Sequence, residues 1–170
     1  MTKNILTQKE LKRILDYNET TGEFIKLFTS GSTIKGDVAG TLQKNGYIQI
    51  EINNKGYKAH RLAWLYVTGF FPREQIDHIN HVRNDNRFLN LRECSNMENA
   101  KNNSMPKSNT SGFVGVNFSK SVGKWHARIC FDGKRINLGY FALKDEAILA
   151  RKEANVKYDY HENHGMVEIR

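Results

Sequence analysis

The sequence predicts an α+β fold built from small antiparallel sheets and short helices, and three observations support it. Runs that alternate apolar and polar residues flank the turn-forming pairs Asn45-Gly46 and Asp132-Gly133, which is typical of β-hairpins. Segments with apolar residues three and four apart, at 60–69 and 144–158, predict helices. A polar segment with a proline, 104–110, predicts a linker between two parts of the chain.

The first 58 residues are predicted to form a small α+β flank. Thr7 and Glu10 have the spacing of a capping box, in which a hydroxyl and a Glu three residues later bond each other's backbone. We therefore expect a helix that starts there and ends near Asn18. Strands are expected at 24–27, 47–52 and 57–59.

Composition limits the classes of partner and compartment. The 170 residues include 26 Lys and Arg against 18 Asp and Glu, so the formal charge is +8. This excess favours a polyanionic partner, above all nucleic acid, over the alternative of a merely basic soluble protein. Cys94 and Cys130 form no CxxC pair, which argues against a disulfide framework or a cysteine-rich zinc site. Without a signal-peptide or membrane-length apolar run, we expect a cytoplasmic protein that has no membrane contact.

Residues 76–103 contain the most informative pattern. They predict strand, loop, strand and helix, which together supply Asp77, His78, Asn90 and Asn99. Asp77 and Asn99 offer the oxygen ligands that Mg²⁺ or Mn²⁺ prefers, and a histidine that titrates near neutral pH suits a general base. Asn90 could hold the histidine strand by a hydrogen bond or simply cap the strand that follows it. The alternative for the acid–histidine pair is an ordinary pair that only satisfies its own hydrogen bonds.

With these residues and the flanking sequences AHRLAW and NDNRFLNLRE, the segment resembles HNH endonucleases of the ββα-metal type. It is similar to the phage and mobile-element group in which asparagine replaces the last histidine. The resemblance implies Asp77 and Asn99 as ligands of one Mg²⁺ or Mn²⁺ ion, His78 as general base and Asn90 as its positioning residue. It also implies cleavage of double-stranded DNA, inside a host cell, to 5′-phosphate and 3′-hydroxyl ends.

Further basic side chains lie in or near the same segment. Arg83, Arg87 and Arg92 are predicted to contact DNA phosphates, the alternative for each being a solvated loop residue. His81 is expected to be a loop residue without a chemical role. His60 could line the cleft, but capping or packing at the start of its helix is the favoured interpretation.

Residues 111–160 predict a three-stranded antiparallel sheet with one apolar face, covered by the helix at 144–158. Strict alternation places Trp125 and Tyr140 on that apolar face, and core packing is the expected role of Trp125. The opposite face would be polar and basic, and would therefore be available for a polyanion.

The motifs SGFVGV, KW, LG and DEA in this segment resemble those of AP2-type DNA-binding domains. The resemblance implies that the sheet docks in the major groove of duplex DNA, where Arg and Asn can contact base edges and Lys can contact phosphates. The residues predicted to contact DNA here are Asn117, Lys120, Lys124, His126, Arg128, Lys134, Arg135 and Asn137.

The main hypothesis is a homing-type, divalent-metal-dependent DNA endonuclease that acts as a monomer without a small-molecule cofactor. One alternative is a non-cleaving DNA-binding or regulatory protein on a degenerate HNH scaffold, and another is an RNA-binding or structural protein. The expected divisions are an N-terminal flank (1–58), a nuclease core (59–103), a linker (104–110), an AP2-like domain (111–160) and a tail (161–170).

Overall fold

A computed structural model describes residues 6–166, and these residues form two compact units that divide between Ser95 and Asn96. The first five residues of the predicted flank and the last four of the predicted tail lie outside the described residues. The predicted α+β class is confirmed, because helices occur together with small antiparallel sheets. Within the described range, no helix combines the length and apolarity that crossing a membrane would need.

The first unit contains three small sheets around one helix-centred core. β1 pairs with β2, β3 to β5 form a three-stranded meander, and β6 pairs with β7, all antiparallel. A 3-10 helix, Phe88–Asn90, leads directly into β7. The elements are α1 (Gln8–Ile14), β1 (Leu15–Asn18), β2 (Glu23–Lys26), β3 (Thr41–Leu42), β4 (Ile48–Ile52), β5 (Lys55–Lys58), α2 (Ala59–Thr68), β6 (Gln75–His78) and β7 (Leu91–Cys94).

Helix α1 begins as predicted but ends earlier. Thr7 accepts from the backbone of Glu10, and Glu10 accepts from the backbone of Thr7, so the capping box is confirmed. The predicted end near Asn18 is wrong, because the chain turns extended at Leu15 and continues as β1. Leu15 and Tyr17 are both buried while Asp16 and Asn18 are exposed, and this two-residue period fits a strand.

Helix α2 supplies the centre of the first core. Leu62 and Ala63 are completely buried, and they share a cluster with Ile50 and Ile52 from β4 and with Leu91 from β7. Fully burying a leucine side chain contributes about 1.5–3 kcal/mol, so the packing of α2 fixes the β6–β7 hairpin against the β4–β5 hairpin. The core therefore determines which side chains meet at the end of β6.

The second unit has the predicted three-stranded sheet and its helix. The strand order is β10-β9-β8, fully antiparallel, and Ala127 of β9 packs against Ala147 of α4 in a small core. Trp125 packs at the edge of this core, as expected. The elements are α3 (Asn96–Ala100), β8 (Val116–Ser119), β9 (Lys124–Phe131), β10 (Lys134–Phe141) and α4 (Lys144–Lys157).

A register shift in β10 overturns one prediction about the faces of this sheet. Asn137 pairs with Arg128 and Gly139 pairs with Ala127, so Leu138 is an extra residue in the ladder. Beyond this bulge the alternation is inverted. Tyr140 therefore lies opposite His126, with stacked rings 4.5 Å apart, and is 44% exposed. The prediction that Tyr140 lies on the apolar face is therefore wrong, because strict alternation does not account for an inserted residue.

Candidate functional site

The β6–β7 hairpin contains the predicted acid and histidine, and each has a defined partner on the opposite strand. Asp77 pairs across the ladder with Arg92, and His78, the last residue of β6, pairs with Leu91. Neighbouring residues of a strand point to opposite faces, so Asp77 and His78 leave β6 on different sides. This agrees with their surroundings, since His78 is 4% exposed and Asp77 lies beside a partly exposed arginine.

His78 lies in an aromatic and polar pocket formed by three elements. Its ring centroid is 5.0 Å from that of His60 on α2 and 5.8 Å from that of Tyr47, which precedes β4. Its Nε2 lies 3.5 Å from Oδ1 of Asn86, at the outer limit of a hydrogen bond. Burial lowers the pKa of His78, and the Asn86 contact partly opposes that shift. The imidazole is therefore held in its neutral, proton-accepting form at neutral pH.

Asp77 is held by an arginine that the sequence had suggested for DNA contact. Nε and Nη2 of Arg92 both donate to Oδ2 of Asp77, at 3.0 and 2.9 Å. The side chain of Asp77 is 11% exposed, so this ion pair is better shielded from solvent than an ordinary surface pair. The pair fixes one carboxylate oxygen of Asp77.

Asn90 joins the two ends of the loop between β6 and β7. Its Oδ1 accepts from the backbone N–H of Asn80 at 3.0 Å, and its Nδ2 donates to the carbonyl of Asp85 at 2.8 Å. Its own carbonyl accepts from the N–H of Ile79 at 3.0 Å. These three bonds constrain the backbone directly after His78, which is the geometry that a positioning residue needs.

Asn86 is a site residue that sequence reasoning missed. It is 1% exposed, and its carbonyl accepts from the hydroxyl of Tyr17 at 2.6 Å while its side chain approaches His78. A Cβ on Gly22 would lie only 2.6 Å from its carbonyl carbon, so the β1–β2 turn packs directly on this loop. An asparagine in a loop already rich in Asn and Asp gives no sequence signal that separates it from its neighbours.

The predicted phosphate-binding arginines of this loop have intramolecular partners. Arg87 donates from Nε and Nη2 to Asp85, at 2.7 and 2.5 Å. Arg83 donates to the carbonyl of Asn45 and lies 5.5 Å from the ring centre of Tyr47, over which Lys58 also sits. Arg83 and Lys58 thus place positive charge at the aromatic group beside His78.

The two other histidines of this unit are also buried. His60 is 4% exposed at the start of α2, which agrees with packing, yet its ring also lies against His78. Burial lowers the pKa of His60 to about 3, with His78 and the cations Lys58 and Arg61 adding to the shift. His81 is a loop residue, as predicted, with a left-handed backbone (φ 65°) and an N–H that donates to the carbonyl of His78.

The remaining predicted metal ligand, Asn99, lies on α3 in the second compact unit. The structure thus groups Asp77, His78 and Asn90 on one hairpin, and the joint role of Asn99 with them stays a prediction. Among residues 6–166, no group of three His, Cys, Asp or Glu side chains could hold a metal ion. The two predicted metal ligands, one carboxylate and one amide, do not form such a group of three.

The polar face of the second-unit sheet carries most of the residues predicted to contact DNA. Asn117 pairs with His126, and the Nε2 of His126 lies 3.0 Å from Oδ1 of Asn137. The bulge adds Tyr140 to this face, which sequence alternation had missed. Arg128 pairs with Asn137, Arg135 pairs with Cys130, and Lys120, Lys124 and Lys134 are exposed at the ends of the strands.

Comparison with known proteins identifies the class to which these elements belong. Residues 57–101 match the family model for HNH endonucleases, a range that contains α2, the β6–β7 hairpin and α3. Such a domain indicates a nuclease or DNA-binding role, with DNA as the implied substrate. The chain is 34% identical to Protein 3.8 of Escherichia phage T7 over 84 residues, which cover 49% of this chain and 69% of the phage protein. The chain belongs to the same family as that phage protein. No solved structure matches it significantly.

Proposed function

We propose that the protein is a divalent-metal-dependent DNA endonuclease that hydrolyses phosphodiester bonds. The observation that carries the proposal is the buried His78, which lies at the end of β6 directly after Asp77 and within the HNH-matching segment. Burial lowers its pKa, so the ring can accept a proton from water at neutral pH. The products would be 5′-phosphate and 3′-hydroxyl ends.

The neighbours of His78 would position it for this task. Asn86 contacts Nε2, and the rings of His60 and Tyr47 limit rotation of the imidazole. Asn90 constrains the backbone that follows the histidine. A base whose ring and backbone are both restrained keeps one orientation toward a bound phosphate, and such preorganisation lowers the cost of reaching the transition state.

The residues that would hold the metal are Asp77 and Asn99. A carboxylate and an amide carbonyl are hard oxygen donors, and this chemistry fits Mg²⁺ or Mn²⁺ better than zinc. Arg92 donates two hydrogen bonds to Oδ2 of Asp77, so an ion bound at this carboxylate would share it with a fixed positive charge. When bound, the ion would supply positive charge to the phosphate oxygens.

Docking on duplex DNA would be the task of the second unit. We propose that 59–103 forms the ββα-metal module and that 111–160 forms an AP2-like domain, joined by 104–110. The antiparallel sheet with α4 on one face and basic residues on the other supports this division. Arg128 and Arg135 would contact base edges or phosphates, and Lys120, Lys124 and Lys134 would contact phosphates.

Plasmid cleavage tests the proposal directly. The purified protein should convert supercoiled plasmid to nicked or linear DNA with Mg²⁺ or Mn²⁺, and EDTA should stop the reaction. His78→Ala should lower the rate at least about a hundredfold, the lower range for a general base, while duplex affinity measured by anisotropy stays within twofold. The matched control is His161→Ala in the second unit, which should cut like the wild type. A wild-type rate for His78→Ala would exclude His78 as the base.

One observation favours a second candidate, a DNA-binding protein that does not cleave. The ion pair between Asp77 and Arg92 occupies one oxygen of the proposed metal ligand and could itself be the role of that carboxylate. This candidate predicts duplex binding that EDTA leaves unchanged and no nicking with either metal. A gel-shift comparison of duplex DNA with RNA of the same sequence would separate both candidates from an RNA-binding role.

A further inference from the structure

The second unit contains a cavity of about 530 Å³ that the proposed nuclease site does not use. It lies between the segment that precedes β8, the central strand β9 and helix α4, and it is lined by residues of this unit alone. Ser108 and Thr110 contribute hydroxyls from the first of these elements, and Tyr160 lies beyond the end of α4.

Arg151 of α4 is the most unusual residue in the wall of this cavity. It is 2% exposed, and its Nε and Nη1 have no hydrogen-bond partner among the described residues. Its other contacts are modest, with Nη2 3.4 Å from Nε2 of His164 and the guanidinium carbon 4.8 Å from the ring centre of Tyr160. A buried guanidinium with two unpaired donors is costly to maintain unless an acceptor reaches it.

The surroundings of Arg151 favour a negatively charged acceptor. Arg128, Arg135 and His164 line the same cavity, and none of the described residues that line it is acidic. Three arginines without a carboxylate produce a positive potential in a partly enclosed space, where charge interactions are stronger than at an open surface.

Gly115 packs closely against the Nε edge of Arg151. Its backbone is left-handed (φ 81°), and a Cβ at this position would lie 2.5 Å from Nε of Arg151 and 2.5 Å from the carbonyl of Arg128. Any other residue would therefore press on the guanidinium. The absence of a side chain at position 115 therefore lets the guanidinium occupy this place in the wall of the cavity.

We propose that this cavity binds a phosphate group, with Arg151 as its principal donor. The planar fork of a guanidinium matches two oxygens of a phosphate, which supports this anion over a single-atom ion such as chloride. Arg128 and Arg135 would approach the group from β9 and β10. The phosphate could belong to a DNA backbone or to a free phosphate anion, and the chemistry at Arg151 would be the same.

Titration of the full chain with inorganic phosphate tests the site, with potassium chloride at matched ionic strength as the reference. Phosphate should raise the Tm of the wild type in a saturable manner. Arg151→Met should lose this shift, and Arg128→Gln, an exposed position whose change leaves the core intact, should weaken phosphate affinity at least threefold. The matched control is Lys152→Met, an exposed cation next to Arg151 on α4, which should bind like the wild type.

A second arm uses a fluorescent duplex to identify the source of the phosphate. If the group belongs to DNA, Arg151→Met lowers duplex affinity and inorganic phosphate displaces the duplex. If it is a free anion, Arg151→Met loses phosphate affinity while its duplex affinity stays within twofold. If Arg151→Met does not fold, the phosphate affinity of Arg128→Gln tests the proposal instead. The proposal is overturned if phosphate acts no differently from chloride on the wild type, or if Arg128→Gln binds phosphate like Lys152→Met. His78→Ala should still bind phosphate, so this outcome is independent of cleavage.

Discussion

The imidazole of His60 on α2 lies edge-on to the imidazole of His78 on β6, with ring centroids 5.0 Å apart and planes at 89°. Both rings are buried, and burial lowers both pKa values from the ordinary value of 6.5. Two neighbouring rings that must both stay neutral make the first unit sensitive to acid.

His60 should make stability depend on pH. Its pKa is about 3 in the folded protein and near 6.5 in the unfolded chain, so between these values the unfolded state binds more protons. The free energy of unfolding should therefore fall as pH drops below about 6.5, by at most about 1.4 kcal/mol per pH unit for this group. Urea unfolding at pH 7 and pH 5 should show a smaller fall in His60→Gln than in the wild type. Equal falls in both proteins would contradict this assignment.

Gly22 should be intolerant of a side chain. A Cβ there would lie 2.5 Å from the backbone nitrogen of Arg87, on the loop that holds Asn86 against His78. Gly22→Ala should lower the free energy of unfolding by at least about 3 kcal/mol, measured by urea titration. Gly31→Ala is the control, because it shares the left-handed backbone but would meet no described atom within 4 Å, and should cost only about 1–2 kcal/mol.

Asn90 should contribute to stability through its two side-chain hydrogen bonds. Asn90→Ala would leave the partly buried N–H of Asn80 and the partly buried carbonyl of Asp85 without this partner, at a cost of about 1–3 kcal/mol. Thermal unfolding measures the loss, and plasmid nicking should slow because the backbone after His78 is less restrained. Asn84→Ala, at an exposed position in the same loop, should change stability by less than about 0.5 kcal/mol. An equally large loss of stability in Asn84→Ala would contradict a specific role for Asn90.

Arg92 should modulate metal affinity if Asp77 is a metal ligand. Arg92→Gln removes the cation that donates to Oδ2 of Asp77, so the carboxylate becomes available to an ion without competition from a fixed positive charge. The Mn²⁺ concentration that gives half-maximal nicking should fall severalfold. Arg73→Gln, an exposed arginine before β6, is the control and should leave it unchanged. A higher Mn²⁺ requirement in Arg92→Gln would show instead that Arg92 orients Asp77 for the ion.

Lys124 at the start of β9 should contact a DNA phosphate. Each phosphate contact contributes about 0.9 to the slope of log affinity against log salt concentration. Lys124→Ala should therefore reduce the magnitude of that slope by about 0.9 in anisotropy titrations of duplex DNA between 50 and 200 mM salt, roughly the range over which such contacts are weakened. Lys9→Ala on α1 is the control, and an unchanged slope in Lys124→Ala would contradict the contact.

Local patterns predicted most of the secondary structure. The capping box at Thr7 and Glu10, the turn at Asp132-Gly133 and the strand–loop–strand at 75–94 were all found where the sequence indicates them. The errors came where the pattern changes period within a few residues. Helix α1 ends at Ile14 because Leu15 begins a strand, and the bulge at Leu138 inverts the faces of β10.

The sequence by itself determined the hairpin that presents Asp77, His78 and Asn90, since spacing, turn residues and hydrophobic alternation act between near neighbours. Only the tertiary structure decided what surrounds them. His60, Tyr47 and Asn86 meet His78 because α2, β4 and the β6–β7 loop pack on one core. The surroundings of Arg151 were also decided by the tertiary structure. In the sequence it is one of several basic residues of a helix, and it is buried because the sheet and the chain after α4 pack around it. Burial and pairing depend on elements far apart in the chain, which no local pattern records.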